Sequence, residues 1–219
     1  MLKNPYVSGF DARSGDLPTL DEVTYRRLGQ SDAHLVQGHL IRLDPHTRRM
    51  RFCGPATDYF IENRLATLEW ASSVLIGAFV DGVLRGVGEI VRVSFVPQSS
   101  AELALSVEPA YQNAGIGSEL VRRLLSAARN RYIQKVFMLC LSENVKMQRV
   151  ARKFDADLIR DAGEVEGRIR APWPNYQTFM EEVLSDSWAF YHAIFDPKTV
   201  DEDVLQIDMD VDPATRPGV

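Results

Sequence analysis

The chain has 219 residues, 45% of them hydrophobic and 25% charged, which is enough for one ordinary domain with a full core. A net charge of −5 excludes a general nucleic-acid binder, which would carry a basic footprint. The longest apolar run, Val74 to Val80, is far too short for a membrane span, so no membrane partner is expected. Met1-Leu2-Lys3-Asn4-Pro5 lacks the apolar stretch of a secretory signal. The two cysteines, Cys53 and Cys140, are therefore expected as free thiols in the reducing cytoplasm. The histidines are scattered and no Cys/His spacing suits a metal, so no metal is expected.

Residues 1–22 carry Pro5, Gly9, Gly15 and Pro18 without a sustained period, and read as an irregular arm. Val23 to Leu28 is a short strand candidate. Ser31 can cap a helix whose apolar side is Leu35, Leu40, Ile41 and Leu43, ended by Asp44-Pro45. Residues 47–53 suit a short further turn of helix. Thr57 caps another helix through Trp70, with Phe60, Ile61, Leu65 and Leu68 at helical spacing.

The period then changes. Ser73 to Val80 is apolar and β-branched, Asp81-Gly82 is a hairpin turn, and Val83 to Val96 is the return strand. Glu89 interrupts the apolar face formed by Val83, Val87, Val91, Val93 and Phe95. Glu102 to Val107 is a further strand, followed by a loop and a helix from about Gly117 to Asn130. Lys135 to Ser142 is apolar on both faces, as a central buried strand would be. A helix covers about Asn144 to Phe154, and Val165 to Ile169 is a weaker strand. Beyond Pro172, Tyr176, Phe179, Val183, Trp188 and Tyr191 lie on one helical stripe. The stripe suits packing onto the sheet; a lid or a homodimer contact is its alternative. From Asp196 the chain is an acidic tail with Pro197, Pro213 and Pro217. The organisation expected is an arm (1–22), one domain (23–195) and a tail (196–219). Early strands joined by a hairpin and later ones by helical crossovers imply a mixed α/β sheet with helices on both faces.

The chemistry lies in Gln112-Asn113-Ala114-Gly115-Ile116-Gly117, between a strand and a helix start. Unpartnered amides and the positive end of a helix make a cradle for phosphate there. A P-loop would need a lysine after Gly117, where Ser118 stands. A dinucleotide fingerprint would need a third glycine, where Leu120 stands.

The loop matches the Gln/Arg-x-x-Gly-x-Gly/Ala signature of the GNAT acyltransferases at Gln112, Gly115 and Gly117, and the resemblance extends over roughly residues 23–170. Ala101-Glu102-Leu103-Ala104-Leu105-Ser106-Val107 resembles the strand before the loop in protein-lysine and histone acetyltransferases. Cys140-Leu141-Ser142-Glu143-Asn144 resembles the family's second cofactor-binding segment. Leu40 to Phe52 is similar to the opening helices of bacterial protein-acetyltransferase catalytic domains.

The resemblance implies a mostly antiparallel central sheet of about six or seven strands and acetyl-CoA as acyl donor. It implies as acceptor a primary amine, either a small molecule or a protein lysine. It assigns the main chain of Leu105 and Val107 to the pantetheine arm and the amides from Gln112 through Asn113, Ala114, Gly115, Ile116 and Gly117 to Ser118 to the pyrophosphate. Asn144 would hydrogen-bond the pantetheine or help order the substrate. Glu102 would be the general base that deprotonates the acceptor ammonium. Glu89 is the rival base, because a buried carboxylate holds its proton more tightly. Each has a plainer alternative: Glu102 as a solvated strand residue, Glu89 paired with Arg85 or Arg92, Asn144 as a helix cap. Four features depart from the family, the first being Asp155-Ala156 in place of the usual Gly-Phe after the Asn144 helix. Ala151 stands where many members carry a tyrosine acid. Asn113 and Ala114 stand where basic residues are frequent. No last strand is evident after Ile169 unless Val204 to Met209 returns to the sheet. A sensor or docking module that binds acyl-CoA without turnover is the competing function.

Overall fold

The structure, a computed structural model of the chain, describes residues 22–93 and 99–170. It begins with β1 (Thr24–Leu28), α1 (Ala33–Arg42), α2 (Pro45–Phe52) and α3 (Asp58–Ala66). Strands β2 (Ser73–Val80), β3 (Val83–Arg92) and β4 (Ser100–Val107) follow, then α4 (Ile116–Asn130) and β5 (Lys135–Leu141). Last come α5 (Val145–Lys153), β6 (Asp157–Asp161) and β7 (Glu164–Arg170). The seven strands form one sheet in the order β1-β2-β3-β4-β5-β7-β6. Only β4 and β5 run parallel; every other neighbouring pair is antiparallel. This is the expected mixed, mostly antiparallel sheet with helices on both faces. The expected arm, aromatic stripe and acidic tail, and the strand residues Phe95 and Val96, lie outside the described residues.

Local chemistry explains most element boundaries. Asp81 and Gly82 both take positive φ, 50° and 72°, as a tight hairpin turn with the strands' own twist requires. The Asp44 carboxylate accepts the Thr47 N–H at 3.0 Å and Pro45 opens α2, so the pair that ends α1 also starts the next helix. Thr57 caps α3 by accepting the Phe60 N–H at 3.2 Å. That helix stops at Ala66, short of the expected Trp70, where the Thr67 hydroxyl turns back onto the Asn63 carbonyl at 2.9 Å. Ser31 is not the cap expected of it. It lies inside a 3₁₀ turn, and Asp32 does the anchoring through Arg26 and the Gly29 N–H.

Two apolar clusters sit on opposite faces of the sheet. One joins Ile76, Ala78, Ile90 and Leu103 to Ile116, Leu120 and Leu124 of α4. The other joins Leu75, Leu84 and Val87 to Val36, Leu40 and Ile61 of α1 and α3. Gly88 lets α4 approach closely: a Cβ there would lie 2.7 Å from Leu124 Cδ1. The strand β5 is less covered than its sequence implies. Val136, Met138 and Cys140 are buried, but Leu139 on the other face is 41% exposed. The second cluster reaches only the β1–β3 side of that face.

The last part of the sheet corrects the sequence reading. The weak strand Val165–Ile169 becomes β7, inserted between β5 and β6. The strand that sequence missed precedes it: β6 is the charged segment Asp157-Leu158-Ile159-Arg160-Asp161. It turns into β7 through Ala162 and Gly163, both at positive φ. An exposed edge strand needs no apolar face, and charge on it discourages further pairing, so no alternation marks it.

Candidate cofactor and active site

The site begins with a split in the sheet. β4 and β5 pair only over Ser100–Glu102 and Lys135–Phe137. Beyond that point the two strands have no partner in each other, and β4 keeps only β3. The Glu108 N–H donates to Arg85 O at 2.9 Å and the Val93 N–H to Ser100 O at 3.0 Å. Even-numbered residues of β4 therefore turn their main-chain groups toward β3, and Leu103, Leu105 and Val107 turn theirs into the split. One of these groups is already used: the Gln112 side-chain amide donates to Val107 O at 2.9 Å.

The loop closes one end of the split. Tyr111 is buried in a 3₁₀ turn, Gln112 is extended, and Asn113 and Gly115 take φ of 66° and 87°. Gly115 is thus required by backbone shape, and asparagine is among the side chains best able to share that region. Ile116, 1% exposed, anchors the start of α4 in the core, and Ala114 packs beside it. The first helical bond of α4 runs from the Glu119 N–H to Gly115 O at 3.1 Å. The amides of Ile116, Gly117 and Ser118 precede it and so lack an intrahelical acceptor. Gly117 lies over β4, where a Cβ would come into ordinary contact with Leu105 Cδ1 at 3.4 Å.

A cavity of about 560 Å³ fills the space between the split strands, the loop, α2 and α5. Among the residues expected to hold a cofactor, Leu105, Val107, Gln112, Asn113, Gly115, Gly117, Ser118 and Asn144 line it. Ala114 and Ile116 do not; their side chains serve the core. Asn144 does cap α5, its side-chain oxygen accepting the Met147 N–H at 3.0 Å.

The two candidate bases share one face of the sheet, because Glu102 stands opposite Val91 and Glu89 opposite Ala104. Their surroundings differ. Glu102 is exposed, at the last pairing of β4 with β5. Glu89 is 5% exposed and held by two guanidinium groups, Arg51 and Arg64, each at 2.5 Å. The partners expected for it go elsewhere: Arg85 bonds Glu108, and Arg92 bonds the Arg131 carbonyl. Glu89 is therefore not the carboxylate in an apolar pocket that its place on β3 suggests. Ala151, at the usual tyrosine position, is buried, with its Cβ 3.5 Å from where a Cβ on Gly167 would lie.

Sequence reasoning missed two groups beside the cavity. His39 is fully buried, with Nε2 2.9 Å from the Ser106 hydroxyl and Nδ1 3.5 Å from Glu108. Glu108 also meets Arg42 and Arg85, each at 2.9 Å, so the entry to the loop is pinned to α1 and β3. Burial pushes the His39 imidazole below its usual range, against the pull of Glu108. Only the contact across 67 residues reveals this role; a lone histidine in a helix carries no such signal. The second group is Lys146, Arg149 and Lys153 on α5, all lining the cavity. Their spacing of three and four was visible as one helical face.

The Acetyltransferase (GNAT) family model matches residues 42–156, slightly more than half of the chain. Acetyltransferase PA5475 of Pseudomonas aeruginosa is 27% identical over 150 residues, covering 64% of this chain and 81% of that protein. The GNAT domain of S. lividans PAT superposes with a TM-score of 0.59 at 20% identity, over 67% of this chain and 89% of that one. YncA of Salmonella typhimurium, a putative acetyltransferase solved with its cofactor acetyl-CoA, gives 0.53 at 16% identity, over 71% and 99%. With a split β4–β5 pair and a glycine loop inside the matched segment, the chain belongs to the GNAT family of acetyltransferases.

Proposed function

We propose that this acetyltransferase moves an acetyl group from acetyl-CoA to a primary amine, a protein lysine or a small-molecule amine, by direct attack within a ternary complex. The observation that carries the reading is the split itself. Main-chain groups of Leu105 and Val107 that turn away from β3, one of them taken by Gln112, border it, the first amides of α4 close one end, and the exposed carboxylate Glu102, which lies outside the cavity lining, borders it as well. An added ligand strand suits the first, phosphate the second, and an acceptor ammonium the third.

The residues present fit a coenzyme A: the cavity is lined by eight of the candidate residues and by four cationic side chains, Arg51, Lys146, Arg149 and Lys153. Leu105 and Val107 would bind the pantetheine amides, with Val107 O shared with Gln112. The amides of Ile116 to Ser118 would take the pyrophosphate. When bound, the donor supplies an acyl thioester. Glu102 accepts the proton that the acceptor ammonium must lose before it can attack. Holding both substrates in one cleft supplies much of the remaining acceleration. Glu89, between two arginines, orients Arg51 and so shapes the floor rather than moving a proton. Burial and the carboxylates of Glu164 and Glu102 push the Cys53 thiol up, so it is a poor thiolate. That favours direct attack over an acyl-cysteine.

In this reading the acyltransferase domain spans residues 23–195 between an arm and a tail, and works in the cytoplasm. No helix among the described residues is long and apolar enough to cross a membrane. The test is thiol release from acetyl-CoA against polyamines, aminoglycosides, amino acids and lysine peptides. Glu102→Gln should lower turnover by roughly 10²- to 10⁴-fold with CoA binding kept. Full turnover of Glu102→Gln at saturating substrate rules Glu102 out as base. Buried Ala151 in place of a tyrosine acid favours a second reading, an acyl-CoA sensor or docking module. Tight acetyl-CoA binding with no thiol release from any amine would select it.

A further inference from the structure

The two arginines that hold Glu89 have most of their hydrogen-bonding capacity unspent. Arg51 comes from α2 and Arg64 from α3, and each gives one N–H group to that carboxylate at 2.5 Å. A guanidinium has five N–H donors. Among the described residues neither side chain makes another hydrogen bond; Arg51 adds only the face of Phe52, its Cζ 4.9 Å from the ring centroid. The neighbouring Arg48 is used more fully. It donates to the carbonyls of Ile41, Leu43 and Ala56 and to the Asp58 carboxylate.

Two positive charges therefore meet one negative charge in a place largely closed to water. The Arg51 side chain is 9% exposed, that of Glu89 7% and that of Arg64 33%. Burial pushes the Arg51 guanidinium down from its ordinary range, Glu89 pulls it up, and Arg64 pushes it down again. An anion that takes up the remaining donors relieves this excess. Arg51 lines the cavity, so the excess charge is open to a ligand.

The strand register places this charge on the acceptor side. Glu89 stands opposite Ala104 and Glu102 opposite Val91, so the two carboxylates are diagonal neighbours, roughly 7–8 Å apart at Cα. Glu102 also lies within electrostatic reach of Arg51. Ala104 is three residues, roughly 10 Å, from Val107 at the loop end of β4, so the arginines stand away from the phosphate cradle. Phe60 shares a face of α3 with Arg64, is 45% exposed, and meets Phe52 edge-on with centroids 5.3 Å apart. Arg51 and Arg64 balance Glu89 and Glu102 in total, so a zwitterion keeps the balance. Its ammonium suits Glu102, its carboxylate suits the arginines, and Phe60 offers an apolar surface to the rest. A polyamine would bring further positive charge up to two arginines.

We propose that Arg51 and Arg64 bind a carboxylate of the acceptor, which is a free amino acid and not a polyamine or a lysine within a peptide. The inference rests on the acetyl-transfer reading above and names the substrate class on its acceptor side. The arginines hold one end of the molecule and so present its amine to Glu102. A carboxamide in place of the carboxylate leaves their donors poorly matched.

The test is thiol release from acetyl-CoA by the full chain with the common α-amino acids, each beside its own carboxamide. Wild type should favour the carboxylate in kcat/KM by roughly tenfold to a hundredfold, the factor for a charge-assisted contact. The same acid without its amine should compete with the acceptor and not with acetyl-CoA. Arg64→Gln, at a half-buried position, should bring the kcat/KM values of acid and carboxamide together. The loss should appear in KM for the amino acid, whereas a misfolded variant loses kcat. Arg64→Lys keeps the charge without the fork and should restore part of the preference. Equal use of amino acid and carboxamide by wild type, or a ratio that Arg64→Gln leaves unchanged, overturns the carboxylate site and leaves acetyl transfer to an amine standing. No thiol release with any amine removes both.

Discussion

Glu89 and Glu102 lie on one face of the sheet, and their neighbours give them different work. Removing the charge of Glu89 takes the carboxylate from Arg51, which is buried, and from Arg64, which is half-buried. Glu89→Gln should therefore cost about 3 kcal/mol or more in urea denaturation, the scale for breaking a buried pair from one side. Glu102→Gln, on an exposed residue, should leave stability within about 0.5 kcal/mol. Together the two variants separate loss of fold from loss of chemistry. His39 and Glu108 give the molecule an acid sensitivity. Burial depresses the His39 imidazole below its usual value, so the native state refuses a proton that the unfolded chain takes up. Stability is thus full above about pH 6.5 and falls as pH drops below it. Burial pushes Glu108 up, but His39, Arg42 and Arg85 outweigh this and hold it below the usual carboxylate range. Its contribution is lost later, as pH falls through that lowered value. Denaturation midpoints should decline first below about pH 6.5, and His39→Gln should remove that first decline. The sequence offered both glutamates as candidates, but parity along a strand does not say which arginines arrive from α2 and α3.

Local signals placed most elements where they form. The Asp81-Gly82 hairpin, the Thr57 cap and the glycine loop before α4 are each fixed by backbone shape or by one hydrogen bond within four residues. Asp44 is such a case: Asp44→Ala should cost about 1 kcal/mol in thermal or urea unfolding through loss of the α2 cap. Because α2 carries Met50 and Arg51 into the cavity wall, the same variant should also weaken ligand binding. The β6 strand shows the converse. Its residues are almost all exposed, so nothing in its pattern distinguishes it from a loop. Pairing with β7 alone makes it a strand. The length of α3 was overread for a related reason: Leu68 and Trp70 do pack on the second apolar cluster, but from a turn rather than a helix. At Gly88, tight packing of α4 on β3 implies that Gly88→Ala should destabilise by about 1–3 kcal/mol, measured by urea denaturation, as overpacking of a filled core does.

Across the whole molecule, the split between β4 and β5 divides the sheet into two parts joined by one short parallel pairing. A ligand in the cavity would touch β4, the α4 start and α5 at once, and so bridge that division. In the proposed reading, coenzyme A at about a hundred times its Kd should stabilise the fold by about 2.7 kcal/mol. Differential scanning fluorimetry should then show a rise in Tm of roughly 5–10 °C. The order of elements apart from β6, the phosphate loop and membership of an acyltransferase-like pattern were set by the sequence alone, because glycine positions, caps and apolar periods act within a few residues. Three things were decided only by the tertiary structure. β4 and β5 part after Glu102, Glu89 is neutralised by two helices from elsewhere in the chain, and α5 faces the loop with three uncompensated cations. Each depends on which distant segments meet, and interactions between segments leave no period in the sequence that makes them.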